Sequence, residues 1–285
     1  MSSIQKSLTM SLLAAGATTL AFAVTPAKAQ CVGACGTGAA NGDVANSPGY
    51  GLSGGGLGSY SFVTTANGLT GVGSYPGVVD VNGGGGSVNT TNGSTDTINI
   101  GALGAGQGKT FYFNFVTSDG NNPANISNGL GGFPDYGWAT LTNTTTGQSY
   151  LIFSALTNAN NPAAPGAGFP PIDPSSSFAS TNIQIGTGAG GSPVWGQLGT
   201  TSGTCYDVGC GYTGWITDNF TAPTTGNYVL NFGVTNANDT AYDSGLAVAS
   251  GTAVAPGPVP GAGLGGLVAL LCAGLIARAR RLRTR

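Results

Sequence analysis

The chain is expected to fold as an all-β protein, a β-sandwich or jelly roll with long Gly/Pro-rich loops. An N-terminal signal helix and a C-terminal apolar helix are expected to flank it. Three observations lead there. Of 285 residues, 52 are Gly and 15 are Pro, so turns cut the chain at short intervals. All ten acids are Asp, there is no Glu, and Lys and Arg together number eight, so strong helix formers are scarce. The best strand-like runs alternate with period two, as a sheet with one buried side requires.

The elements follow in chain order. Residues 1–29 hold Lys6, an apolar stretch from Met10 to Val24 and the small-residue site Ala27-Lys28-Ala29. That is the layout of a secretory signal peptide, read by the Sec export machinery. Residues 30–58 are Gly-rich with few strand formers and are expected to wrap the surface. Residues 59–254 form the expected sandwich domain, large enough for a real core. Strand-like runs recur at 59–65, 69–74, 95–100, 109–117, 135–143, 148–155, 181–185, 214–221, 227–235 and 244–249. Phe111, Phe113 and Phe115 fall on one face of their run. Tyr228, Leu230, Phe232 and Val234 share a face of another, with Asn231 opposite. Residues 81–91 and 158–180 are rich in Gly, Asn, Pro and Ser and are expected to be surface loops. A membrane β-barrel would need evenly spaced strands of ~10 residues and aromatic girdles, which this sequence does not display.

The last segment, 255–285, opens with Ala255-Pro256-Gly257-Pro258-Val259-Pro260-Gly261. An apolar run to Ala277 follows, and then Arg278, Arg280, Arg281, Arg283 and Arg285. A transmembrane helix is expected at about 261–277, its basic end cytoplasmic. Together these three parts resemble the PEP-CTERM sorting signal of Gram-negative bacteria, with Gly257 where the family's Val-Pro-Glu-Pro core has Glu. The resemblance implies that an exosortase-type protease reads Pro256, Pro258, Pro260, Arg278, Arg280 and Arg281. The body would then be transiently anchored and pass to the cell surface or the extracellular space.

Charge is partitioned accordingly. Seven of the eight bases lie in the two end segments, and the body from Gln30 to Val259 sets Lys109 against ten Asp, a net charge of −9. Such a body offers no electrostatic footprint for nucleic acid or for anionic lipid. Without His there is no Ser-His-Asp catalysis, no His-based zinc enzyme and no haem held by His. The expected protein is therefore not an enzyme.

Four of the five Cys form two close pairs, Cys31/Cys35 and Cys205/Cys210, while Cys272 lies in the apolar tail. Export makes disulfides plausible, and four Cys allow three connectivities, of which the local pairing is favoured. A four-Cys zinc site is the rival reading.

The body carries an internal echo. Phe111 to Asp119 leads through a loop to Asp135-Tyr136-Gly137-Trp138, and Tyr228 to Asp239 leads to Tyr242-Asp243-Ser244-Gly245-Leu246. Both resemble a pattern of jelly-roll domains in secreted PEP-CTERM proteins. The resemblance implies the fold over about 59–249 and, in some cases, kinship with carbohydrate-binding modules.

Three constellations bear on chemistry. Asp119, Asp135, Asp239 and Asp243 sit at strand ends and, with nearby Asn and with Asp43, supply the oxygen ligands Ca²⁺ takes; the alternative is that they shape turns. Tyr136, Trp138, Tyr150, Trp195, Tyr206, Tyr212 and Trp215 are candidates for a sugar platform. Of these, Trp195, Tyr206, Tyr212 and Trp215 lie in loop-like sequence; the alternative is that the rings are core. Asp207 and Asp218 flank Trp215 and are the only pair with a case as hydrolase carboxylates, one without support from spacing.

The expected role is that of an exported, membrane-anchored or surface-released, non-catalytic protein of the envelope or extracellular matrix. It would be structural or adhesive and associated with exopolysaccharide or biofilm. The alternative is a carbohydrate-binding module with a calcium-stabilised jelly roll.

Overall fold

A computed structural model describes residues 30–38, 60–76, 90–120, 134–157, 171–178, 192–207 and 209–251. The expected signal peptide, the sorting segment with its helix, the run at 181–185 and Asp43 lie outside them. Among the described residues no helix is long and apolar enough to cross a membrane.

The strands are β1 (Ala34–Gly38), β2 (Tyr60–Thr64), β3 (Leu69–Thr70), β4 (Thr90–Leu103), β5 (Gly108–Thr117) and β6 (Tyr136–Asn143). They continue with β7 (Gln148–Leu156), β8 (Ser176–Phe178), β9 (Gly211–Tyr212), β10 (Ile216–Thr221), β11 (Gly226–Ala237) and β12 (Ser244–Ser250). The only helical element described is a 3-10 segment, Gly196–Thr201. Two antiparallel sheets form. One runs β1-β2-β12-β5-β10-β8, with β9 on the end of β5, and the other runs β3-β4-β11-β6-β7.

The alternation read from the sequence decides which faces meet. Phe111, Phe113 and Phe115 of β5 are fully buried, as are Tyr228, Leu230, Phe232 and Val234 of β11. They pack into one core between the sheets, where Phe113 stacks on Phe153 of β7 at 4.6 Å. Each such side chain contributes about 1.5–3 kcal/mol by leaving water, which makes this layer the main source of stability. On the outer face of the five-stranded sheet a polar ladder runs across four strands. Thr97 donates to Asn231 (3.0 Å), Asn231 donates to Thr142 (3.2 Å), and Thr142 meets Ser149 (2.8 Å). Uncharged side chains thus cover a wet sheet face in a body that has one Lys and no Glu.

Both sheets also carry a second apolar layer on part of their outer faces. Residues from 192–207 and 209–215 fold over the larger sheet, with Trp195, Leu198, Tyr212 and Trp215 against Tyr60, Phe62, Val116 and Ala247. The smaller sheet places Tyr136, Trp138 and Leu156 under Tyr75. Gly73 permits this second cover. Its φ is +90°, and a Cβ there would lie 2.0 Å from the Val234 carbonyl oxygen.

Four expectations require correction. Residues 34–38 do not merely wrap the surface; they form edge strand β1 against β2. Small residues suffice there because the partner's rings fill the space: a Cβ on Gly36 would strike Phe62 and one on Gly38 would strike Tyr60. Strand β4 starts at Thr90, inside the expected loop, because its Thr/Asn/Ser run is paired along nearly its whole length with β11. Ser176–Phe178, also placed in a loop, pairs with β10. The run at 69–74 is paired only over Leu69–Thr70, because the turn-forming Gly71 and Gly73 end it.

Candidate functional site

Local disulfides join Cys31 to Cys35 and Cys205 to Cys210, with Cα separations of 6.0 and 5.6 Å. The pairing removes these thiols from the zinc alternative. The second bridge closes a loop packed on the end of β5. The Tyr206 amide donates to the Ser118 carbonyl (3.0 Å), and a Cβ on Gly120 would collide with the Asp207 backbone.

That end of the sandwich gathers acids. Asp119 follows β5, Asp135 precedes β6, and both are buried. Asp135 Oδ2 accepts from Ser244 Oγ (2.6 Å), and its Oδ1 accepts from the Ala237 amide (3.0 Å). Ser244 Oγ is also 2.7 Å from Thr117 Oγ1, which in turn lies 3.2 Å from Thr157 Oγ1. Asp119 Oδ1 accepts only from its neighbour, the Gly120 amide (2.7 Å), and Asp119 Oδ2 has no partner. Burial pushes Asp119 up to about 8; the Gly120 amide opposes this, and the charges of Asp239 and Asp207 add to it. Burial likewise raises Asp135 well above the carboxylate range, with Asp119 as the next cause.

Of the four strand-end Asp expected to cluster, Asp119, Asp135 and Asp239 therefore feel one another. Asp239 spends its Oδ1 on the Ala241 amide (3.0 Å), a local turn. Asp243 is held elsewhere: Thr65 Oγ1 (3.2 Å) and Thr201 Oγ1 (3.1 Å) donate to it, tying the 3-10 segment to the end of β2. Desolvation raises its pKa and those two hydroxyls lower it. Among the described residues no three acidic, Cys or His side chains converge as one metal-ligand set.

Asp243 borders a cavity of about 500 Å³ whose wall also includes Thr65, Asn67, Gly68, Thr70, Asn92, Thr200 and Thr240. Hydroxyl and amide groups dominate it, a chemistry suited to polyhydroxylated ligands. Tyr242, next to Asp243 in the chain, meets Tyr206 at 5.0 Å with the rings tilted by 38°, and Tyr206 is 49 % exposed.

The other aromatic candidates do not form a platform. Trp195 is 1 % exposed, its Nε1 donates to Tyr60 Oη (3.2 Å), and its ring meets Phe62 edge-on at 5.8 Å. It anchors the 192–215 cover and presents no face to solvent. Gly245 is its seat, since a Cβ there would lie 2.5 Å from the indole. Trp215 and Tyr212 are half-buried in the same layer. Tyr136 and Trp138 belong to the opposite cover, and Tyr150 to the core.

Asp207 and Asp218 do not pair. Asp218 is opposite Phe111 on β5, whereas Asp207 touches Gly120 nine residues further along, roughly 30 Å away at the rise of a strand. A carboxylate pair for glycoside hydrolysis needs roughly 5–9.5 Å. Comparison with family models, with curated proteins and with solved structures finds no match.

Sequence reasoning missed Asn236, Tyr242 and the hydroxyl wall at Thr65, Thr70 and Thr240. Asn236 was legible in part, because it continues the inward series Leu230, Phe232, Val234.

Proposed function

We propose that the chain is an exported, non-catalytic component of the cell envelope or extracellular matrix, built on a jelly-roll-type sandwich. The two local disulfides carry this reading, since such bridges form and persist in oxidising compartments. The basic, apolar ends and the acidic body agree with it. The pairing of β12 with both β2 and β5, and of β4 with β11, supports the jelly-roll description because each joins strands far apart in the chain. Delivery runs through the Sec machinery, a transient C-terminal membrane anchor and an exosortase-type protease. Fractionation of tagged protein with and without the segment from Pro256 onward tests it. Full-length protein at the surface and truncated protein diverted elsewhere is the expected result; identical distribution overturns the sorting role.

A second reading, a carbohydrate-binding module, is favoured by one observation: a cavity lined by hydroxyl and amide groups that includes Asp243, whose chain neighbour Tyr242 contacts the exposed ring of Tyr206. Retention on the producing cell's own exopolysaccharide, lost in Tyr206→Ala/Tyr242→Ala, is the expected result. Equal retention of both proteins removes this reading.

A further inference from the structure

We propose that the polar end of the core is a divalent-cation site of the calcium class, with Asp119, Asp135 and Asn236 as its direct ligands and Asp239 beside them. This goes beyond the surface-protein reading and does not depend on it.

The placement comes from strand register. Thr235 of β11 faces Tyr136 of β6, so the next pair outward sets Asn236 opposite Asp135. Val234 of β11 is a core residue, and a Cβ on Gly137 of β6 would touch Phe115 and Leu246. Alternation therefore points Asn236 and Asp135 into the space between the sheets. Asp119 lies two residues beyond β5 of the opposite sheet; its amide donates to Thr117 Oγ1 (3.0 Å), which is 2.7 Å from the Ser244 hydroxyl that donates to Asp135 (2.6 Å). Three oxygen-bearing side chains thus close the same end of the core from both sides.

Asp135 has Ser244 and Ala237 as donors, but atoms of the other two lack partners. Asp119 Oδ2 and both polar atoms of the Asn236 side chain are buried without a hydrogen bond. Asp119 is 1 % exposed and Asn236 fully buried. Buried polar groups are rarely left this way, because each costs its full desolvation penalty. Among the described residues no counter-charge stands there: Lys109 is the only base from residue 30 to 251, and its ammonium binds the Gly251 carbonyl at the far end of β5.

The donor set names the ion. The ligating atoms on offer are hard oxygens from carboxylate, amide or hydroxyl; the sequence has no His, and the four Cys among the described residues are bridged. Two carboxylates with neutral oxygens make a modest site of the extracellular kind, with Kd of about 10⁻⁴–10⁻³ M. Since no third carboxylate joins the direct set, Asp239 and Asp207 act through their charge.

The test is a thermal melt of the full chain, disulfides intact, in EGTA and in 5 mM CaCl₂, with MgCl₂ as a parallel arm. A rise in Tm of several degrees with calcium, and less with magnesium, is expected. Asp119→Asn keeps the shape and removes the charge. It is expected to melt at or above the wild-type temperature in EGTA and to lose the calcium response, so failure to fold is not confused with failure to bind. Asn236→Ala is expected to weaken the response at least tenfold in calcium concentration. An unchanged wild-type Tm in calcium overturns the site, as does an undiminished calcium response in Asp119→Asn. Neither outcome bears on where the protein is exported.

Discussion

Asp218→Asn isolates the energetic cost of a carboxyl placed inside the sandwich. Asp218 lies on the inner face of β10 between Ile216 and Phe220, opposite Phe111 and Phe178. Its Oδ2 accepts from Ser176 Oγ at 3.0 Å, and its Oδ1 has no partner. Burial pushes its pKa from 3.8 up to about 7, and bonds from the Ser176 hydroxyl and the Ser177 amide only partly oppose that. Below the unfolded value both states hold the proton and the group contributes no pH dependence. Between pH 4 and 7 the folded protein keeps a proton that the unfolded chain releases. Stability therefore falls as pH rises, by at most about 1.4 kcal/mol per unit. The accumulated loss is about 4 kcal/mol at pH 7 and is level above it. The Asn variant has no proton to lose. Urea unfolding of both proteins from pH 4 to 8, followed by Trp fluorescence, gives a difference curve in which Asp119 and Asp135 cancel. The expected curve is near zero at pH 4 and favours the variant by about 2–4 kcal/mol at pH 8. A difference flat to within about 0.5 kcal/mol would mean that Asp218 is ionised and solvated in the folded protein, and the desolvation argument would be refuted.

Two further substitutions separate anchors from surface. Trp195→Ala is expected to lose about 3–5 kcal/mol in urea unfolding, because it empties the centre of the 192–215 cover, whereas Tyr206→Ala should change stability by less than about 0.5 kcal/mol. Equal, small effects would return Trp195 to the list of exposed rings. Replacing Cys205 and Cys210 together by Ser opens a short loop and is expected to cost about 2 kcal/mol on the chain-entropy account. It should also weaken the calcium response, since the Asp207 backbone packs on Gly120; a calcium response identical to wild type would show that the disulfide loop does not support the site.

The core was legible because alternation alone determines it. The Phe111–Phe115 and Tyr228–Val234 series each announce one buried face, and both are buried. Strands without that signature were not legible. β1 is five small residues, Ala34 to Gly38, that acquire strand geometry from Tyr60 and Phe62 of the partner, a tertiary cause no local window contains. β4 reads as polar loop sequence at Thr90–Ser94 because its hydrogen-bonding partner, β11, lies more than a hundred residues away. The site divided the same way. Asp119 and Asp135 stood out as strand-end acids, but Asp243 shares their motif and is drawn off by Thr65 and Thr201. Trp195 looked exposed because its local sequence is Gly-rich; what buries it is distant in the chain, including Gly245 of β12, whose missing Cβ leaves room for the indole.

The shortage of charge now has a mechanical consequence. With one Lys in the body, ion pairs cannot hold the surface together, and the outer ladder from Thr97 to Ser149 is uncharged. Salt screens interactions between exposed charges and leaves such ladders alone. The dependence of stability on solution conditions must then come from the few acids taken inside. Asp119, Asp135 and Asp218 are all buried and all pushed up, so each favours the folded state less as pH rises. Asp218 is held by Ser176 with no neighbouring acid acting on it, and is relieved by a proton. Asp119 and Asp135 sit together beside an unpartnered amide and can be relieved by a proton or by a cation. Calcium should therefore flatten the pH dependence contributed by the Asp119 end and leave that of Asp218 intact.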